Sequence, residues 1–184
     1  MYIRRLSLIY SPKSLLEEIR KGNIIRNLSE RELNAPEGVG FDLRIASLSV
    51  IESGSGSLRI DTRRTPSAES ILWDSNGYIK LKSNSTYLAV TCEEFELPQD
   101  MAALFYPRST LFRSGVLFQS SVLPSGYIGP MTFALTNTRL EDFEIEQGAR
   151  FAHTILTSVS GAVNLYKGQW QGGRLVQPFD EEQI

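Results

Sequence analysis

Between Tyr106 and Asn137 the chain reads YPRSTLFRSGVLFQSSVLPSGYIGPMTFALTN, and the chemistry open to it starts with two arginines. Arg108 and Arg113 stand five residues apart, each a planar, permanently charged fork that matches the oxygens of a phosphate. Ser109 and Thr110, together with their backbone amides, can donate to the same anion. The competing reading is a strand-end turn with one arginine held in a buried ion pair. For Arg108 a structural or subunit-interface role weighs as much as phosphate binding, whereas Arg113 and Ser109 point to phosphate.

Counting removes several other chemistries. One cysteine, Cys92, and one histidine, His153, cannot build a His/Cys/Cys zinc centre, so no zinc is expected. A Ser-His-Asp hydrolase would have to use His153, which lies in the strand-like run Phe151 to Leu156 with no nucleophile elbow beside it. That histidine reads as structural. No glycine-rich loop ends in Gly-Lys-Ser/Thr, which rules out a P-loop. A formal charge of −2 and a pI near 5.5 give no basic footprint, so no nucleic-acid partner is expected. No apolar run reaches membrane-spanning length, Met1 to Arg5 lacks an export segment, and a single cysteine precludes an intrachain disulfide. A cytoplasmic location without membrane contact is the expectation.

The elements that must position these residues are mostly strands. A length of 184 residues suits one domain spanning residues 1–184. Ser11-Pro12 opens a helix over residues 12–21, with the serine oxygen as cap, Leu15, Leu16 and Ile19 on one face, and Gly22 as terminator. Residues 41–51 read as a strand, and 61–70, with Arg63 and Arg64, as a solvated polar loop. From Tyr78 alternation dominates: Tyr87, Ala89 and Thr91 share a face, as do Met131, Phe133 and Leu135, with Thr132, Ala134 and Thr136 opposite. A hairpin is expected near residues 137–141, and 170–184 reads as a tail that stays mobile unless something binds it. Many short strands after one short helix predict a mainly β fold, a distorted jelly-roll β-barrel.

Taken together, these stretches resemble the trimeric dCTP deaminase and dUTP diphosphatase superfamily, more closely the deaminase branch. Ser11 to Ile25 resembles its N-terminal helix and strand, Phe41-Asp-Leu-Arg44 its first motif, and Pro107-Arg-Ser-Thr-Leu-Phe-Arg113 its phosphate motif. Gly126-Tyr127-Ile-Gly129 is similar to the turn before the catalytic strand, Gln147 to His153 to the fourth motif, and Tyr166-Lys-Gly-Gln169 to the segment that closes over nucleotide. The resemblance implies a dUTPase-like homotrimer that binds or acts on a pyrimidine deoxynucleoside triphosphate carrying Mg²⁺, with sites between subunits. The implied nucleotide contacts are Arg108, Ser109, Thr110, Arg113, Gln119, Ser121, Leu123, Tyr127, Tyr166 and Gln169. No residue of the chain reads as a metal ligand.

The resemblance breaks where the chemistry should be. In the deaminase branch a glutamate on the strand after the Gly-aromatic-x-Gly turn moves protons at the cytosine ring, and Ala134 occupies that place. In the diphosphatase branch an aspartate before the turn activates water, and Pro124 occupies that one. Asp42 is the remaining acid of the first motif and the best substitute. Three readings follow: an active deaminase or diphosphatase with relocated acid–base groups, a catalytically silent nucleotide-binding or regulatory homologue, or a scaffold whose pocket has drifted.

Overall fold

Alternating strands are the main regular element of this chain, and a closing sheet is how they bury their apolar faces without leaving edges. The structure, a computed structural model, describes residues 8–183. Met1–Ser7, including the stretch read as lacking an export segment, and Ile184 at the end of the tail lie outside the described residues.

Helix α1 (Pro12–Arg20) comes first and is followed by β1 (Ile24–Arg26), α2 (Glu30–Asn34) and β2 (Phe41–Ile51). Three short strands, β3 (Ser57–Leu58), β4 (Thr62–Arg64) and β5 (Ala68–Ile71), precede β6 (Tyr78–Leu81) and β7 (Thr86–Glu96). Then come β8 (Met101–Pro107), α3 (Ser109–Arg113), β9 (Val116–Gln119) and β10 (Ile128–Asn137). Strands β11 (Phe143–Glu146), β12 (Arg150–Ser158) and β13 (Glu181–Glu182) complete the order.

The main sheet runs β8-β12-β2-β7-β10-β9, with β1 beside β7 and β5 beside β2. Ala103 and Leu123 exchange backbone hydrogen bonds of 3.0 and 2.9 Å, tying the segment after β9 back to β8. The sheet therefore almost closes into the expected mainly β barrel. Inside it, Phe95, Phe105, Phe133, Phe151 and Phe118 pack ring against ring with centroids 4.8–6.4 Å apart. The alternation read from Met131 to Asn137 holds, with Met131, Phe133, Leu135 and Asn137 buried.

Four expectations change. The Ser11 side chain makes no cap bond; instead Ser14 donates its Oγ–H and N–H to the Ser11 carbonyl, at 2.7 and 3.0 Å. Two further short helices appear, and one of them, α3, holds the stretch read as a turn after Arg108. Residues 61–70 are not a loop: β4 pairs with β3 and β13, and β5 with β2. Strand β11 pairs with β6 rather than folding back on β10 as a hairpin. At the other end of α1 the expectation stands, since Gly22 closes the helix with φ +84° and donates to the Ile19 carbonyl at 2.9 Å.

The segment expected to be a loose tail is docked. Arg174 pairs with Glu181 through bonds of 3.0 and 2.6 Å, Gln177 donates its N–H to Thr65 Oγ1 at 2.7 Å, and Gln171 bonds Gly126 and Ile128. Gly126 permits this approach. It sits at φ +82°, and a Cβ there would lie 2.8 Å from Leu165 Cβ. Gly126→Ala is expected to cost roughly 1–2 kcal/mol through strain and lost docking, measurable by urea unfolding together with faster hydrogen exchange after Leu165. Unchanged exchange in that segment would show that the docking does not depend on this glycine.

Candidate functional site

The sequence-predicted site residues separate into two groups in the folded chain. A cavity of about 690 Å³ opens between the Ser121–Tyr127 loop, the start of β10 and the segment from Tyr166 to Val176. Ser121, Leu123, Pro124, Tyr127, Tyr166 and Gln169 all line it. Arg108 and Ser109 line a different, shallower depression of about 460 Å³, together with Tyr106 and His153. Thr110, Arg113 and Gln119 line neither.

In the cavity the two tyrosines form one wall, their ring centroids 5.8 Å apart. Tyr127 donates its O–H to the Pro130 carbonyl at 2.6 Å, and burial pushes its phenol up to about 12. It stays neutral and is no acid–base group near pH 7. Tyr166 is held by its own N–H to the Ser125 carbonyl at 2.8 Å, and its hydroxyl accepts from the Trp170 N–H at 3.3 Å. Gln169 donates to the Glu182 carbonyl at 2.7 Å. Among the described residues, no aspartate, glutamate, histidine or lysine lines the cavity, and its charges are Arg63 and Arg174. Both guanidiniums lie over the Trp170 ring, each 5.5 Å from its centroid.

Ala134 sits half-buried on β10, with Leu88 and Gln119 as its cross-strand neighbours. Of that face of β10, Thr132 reaches the cavity wall and Ala134 does not. Pro124 lines the wall and offers neither a proton nor an N–H.

Asp42 stands at the centre of an ion-pair cluster. It lies on β2 directly across from His153 of β12 and is only 3% exposed. Its carboxylate accepts from Arg108, from Arg150 Nη1 at 2.9 Å, and faces His153 Nδ1 at 2.8 Å. Burial alone would raise its pKa, but the bonds from His153 and Arg108 outweigh that and hold it below the usual value. A carboxylate so occupied makes a poor proton carrier and a good anchor. Arg108 and His153 thus both bond Asp42, while Arg108 stays 40% exposed.

Arg113 remains at the end of α3, exposed beside Phe112 and without a carboxylate partner among the described residues. Ser109 and Thr110 are likewise exposed in the first turn of that helix. Phe112 and Leu117 nearby leave 56% and 51% of their surface open, a large apolar share for one small region. The sequence reading passed over Arg63, Thr132, Trp170 and Arg174. The clue available was Trp170 in a tail rich in Gln, Gly, Asp and Glu, since such a side chain gains little unless it docks.

Residues 9–159 match the family model described as dCTP deaminase-like. The chain belongs to the dCTP deaminase-like family. A probable deoxyuridine 5'-triphosphate nucleotidohydrolase of Methanothermobacter thermautotrophicus is 31% identical over 140 residues, covering 76% of this chain and 89% of the relative. A dCTP deaminase of Korarchaeum cryptofilum is 28% identical over 169 residues, covering 91% and 94%. Among solved structures, the 2'-deoxycytidine 5'-triphosphate deaminase of Agrobacterium tumefaciens shares the fold, with a TM-score of 0.64 at 16% identity. That match covers 84% of this chain but only half, 50%, of the larger one. Among the described residues of this dCTP deaminase-like chain, no helix is long and apolar enough to cross a membrane.

Proposed function

We propose that the chain binds a pyrimidine deoxynucleoside triphosphate in the 690 Å³ cavity and carries out no proton-transfer chemistry there as a wild-type protein. Family membership and the names of the dCTP- and dUTP-directed relatives support the ligand class. One observation carries the silence: among the described residues the cavity wall includes no aspartate, glutamate, histidine, lysine or cysteine. The same wall offers Mg²⁺ no carboxylate, so its residues do not make a protein magnesium site. A magnesium ion would arrive on the phosphates.

Kinship implies a homotrimer, and the separated groups fit a site shared between copies. Arg113, Ser109 and Thr110 lie outside their own chain's cavity, on a surface with exposed Phe112 and Leu117. A second copy would bring them to the first copy's cavity while covering those apolar side chains. Equilibrium sedimentation tests this through the mass, three times 20.6 kDa if the reading holds.

The functional test is thermal melting with dCTP, dUTP or dTTP plus Mg²⁺, followed by chromatography of the incubated nucleotides. At a hundredfold excess over Kd the expected stabilisation is about 2.7 kcal/mol, or roughly 5–10 °C for a chain this long. The shift should vanish in Arg113→Ala, and no dUTP or dUMP should form from dCTP. Product formation would replace this reading with a relocated catalytic site, and no shift with any nucleotide would leave only a drifted scaffold.

A further inference from the structure

Neighbouring side chains on β4 leave opposite faces of the strand. Arg64 donates an Nη2 hydrogen to Ser55 Oγ at 2.9 Å, and its enclosed Nε has no hydrogen-bond partner among the described residues but lies 3.6 Å from the Asp180 carboxylate. Arg63, one residue earlier, lines the cavity. Among the described residues its Nε and Nη2 are enclosed and meet no acceptor, and the Oγ1 of Thr132, which lines the same cavity, is enclosed without a partner too. The cross-strand partner of Arg63 is Glu181, but both carboxylate oxygens of Glu181 are taken by Arg174, at 3.0 and 2.6 Å. Two guanidiniums over Trp170 thus share one carboxylate. One positive charge is left over, and it faces a wall that contains no acid.

Enclosing guanidinium N–H groups without an acceptor is costly, and so is enclosing a hydroxyl. Folding has produced a cavity with unpaired donors from β4 and β10, and an anion with several oxygens would pair them. We propose that Arg63 is a ligand contact of this cavity and takes a phosphate oxygen of the bound nucleotide, in addition to the arginine of the α3 motif. This inference rests on the nucleotide reading given above and names a contact within it. Stacking on Trp170 fixes the plane of the Arg63 fork before the ligand arrives, so little side-chain freedom is lost on binding. Trp170 directly follows Gln169, so the same contact links the β3–β4 hairpin to the docked C-terminal segment. A nucleoside without phosphates would leave the fork unpaired, and the cavity should therefore discriminate by phosphate content.

The experiment measures Kd by calorimetry for deoxycytidine, dCMP and dCTP, the last with Mg²⁺, on the full chain and on Arg63→Met. Methionine keeps an unbranched apolar stem over Trp170 but removes the charge and the donors. The expected result is a loss of dCTP affinity of about 10- to 100-fold, the size of one charge-assisted hydrogen bond, with deoxycytidine affected less than about twofold. Equal dCTP affinity in the two proteins overturns the proposal and means that Arg63 takes no phosphate oxygen. A second measurement uses the wild-type protein alone, in case the variant does not fold. Modification by a dicarbonyl reagent, mapped by peptide mass spectrometry, should slow at Arg63 in the presence of dCTP but not of deoxycytidine. Equal rates with both would again overturn it. A wild-type chain that binds none of the three compounds refutes the nucleotide reading and this contact together. Binding with an unchanged affinity ladder in Arg63→Met refutes the contact alone.

Discussion

Asp42→Ala is expected to lower the melting temperature by roughly 5–15 °C, from a loss of about 2–4 kcal/mol. Asp42 is the single anion on which Arg108, Arg150 and His153 converge, and it is buried between β2 and β12. Removing it leaves Arg150 with only the more distant Glu32, at 4.0 Å, and leaves Arg108 with nothing comparable. Breaking a buried pair from one side costs more than the pair itself contributes, because the surviving charge is stranded. The loss stays below the top of that range because Arg108 is 40% exposed and can regain water. Acid should act in the same direction. The Asp42 pKa is depressed in the folded state, so its contribution is fully present above the ordinary aspartate value near 3.8 and is lost as pH falls below it toward the folded value. Wild-type protein should therefore lose stability on acidification through that window more steeply than Asp42→Asn. Denaturant titrations from pH 6 to pH 2 check the slope. Parallel curves for the two proteins would mean that Asp42 carries no net stabilising charge.

The same residue shows how far the sequence could be read. Its position in Phe41–Arg44 was legible, and so was its approach to the family's site region, but its partners were not. They come from β12 and from the entrance to α3, and one of them, His153, is 111 positions away in the chain. Strand existence was legible for β2, β7 and β10 because period-two alternation is local. Pairing was not. Strand β11 lies beside β6, more than sixty residues back, and nothing in the Asn137–Glu141 turn announces that. The Arg63–Arg64 pair shows the limit most clearly. In sequence it is two charges in a polar stretch; in the fold one points to Ser55 and the other into an apolar-walled cavity beside Trp170. Which of two adjacent arginines faces inward depends on the register with β13, a strand about 120 residues later. The separation of the phosphate motif from the cavity has a related cause under the proposed homotrimer, in which a second copy would supply the rest of the site.

The second large expected effect is a gain of function. Ala134→Glu should release ammonia from dCTP at least about a hundredfold above the wild-type background, since positioned acid–base groups contribute on the order of 10²–10⁴. Ala134 shares its strand face with Thr132, which lines the cavity, and lies across from Leu88, which lines it too. Two residues along a strand span only about 6.8 Å, so a glutamate at position 134 would carry its carboxylate toward the wall that now has none. Ala134→Gln is the matched control: it has the same size and polarity but no transferable proton, and it should stay at the wild-type background. If both variants bind dCTP and only the glutamate releases ammonia, the missing carboxylate is what silences the cavity. Equal, background-level release from two variants that still bind would place the defect elsewhere on the wall. Pro124 and the exposed Ser121 would be next to change, since both line the same cavity.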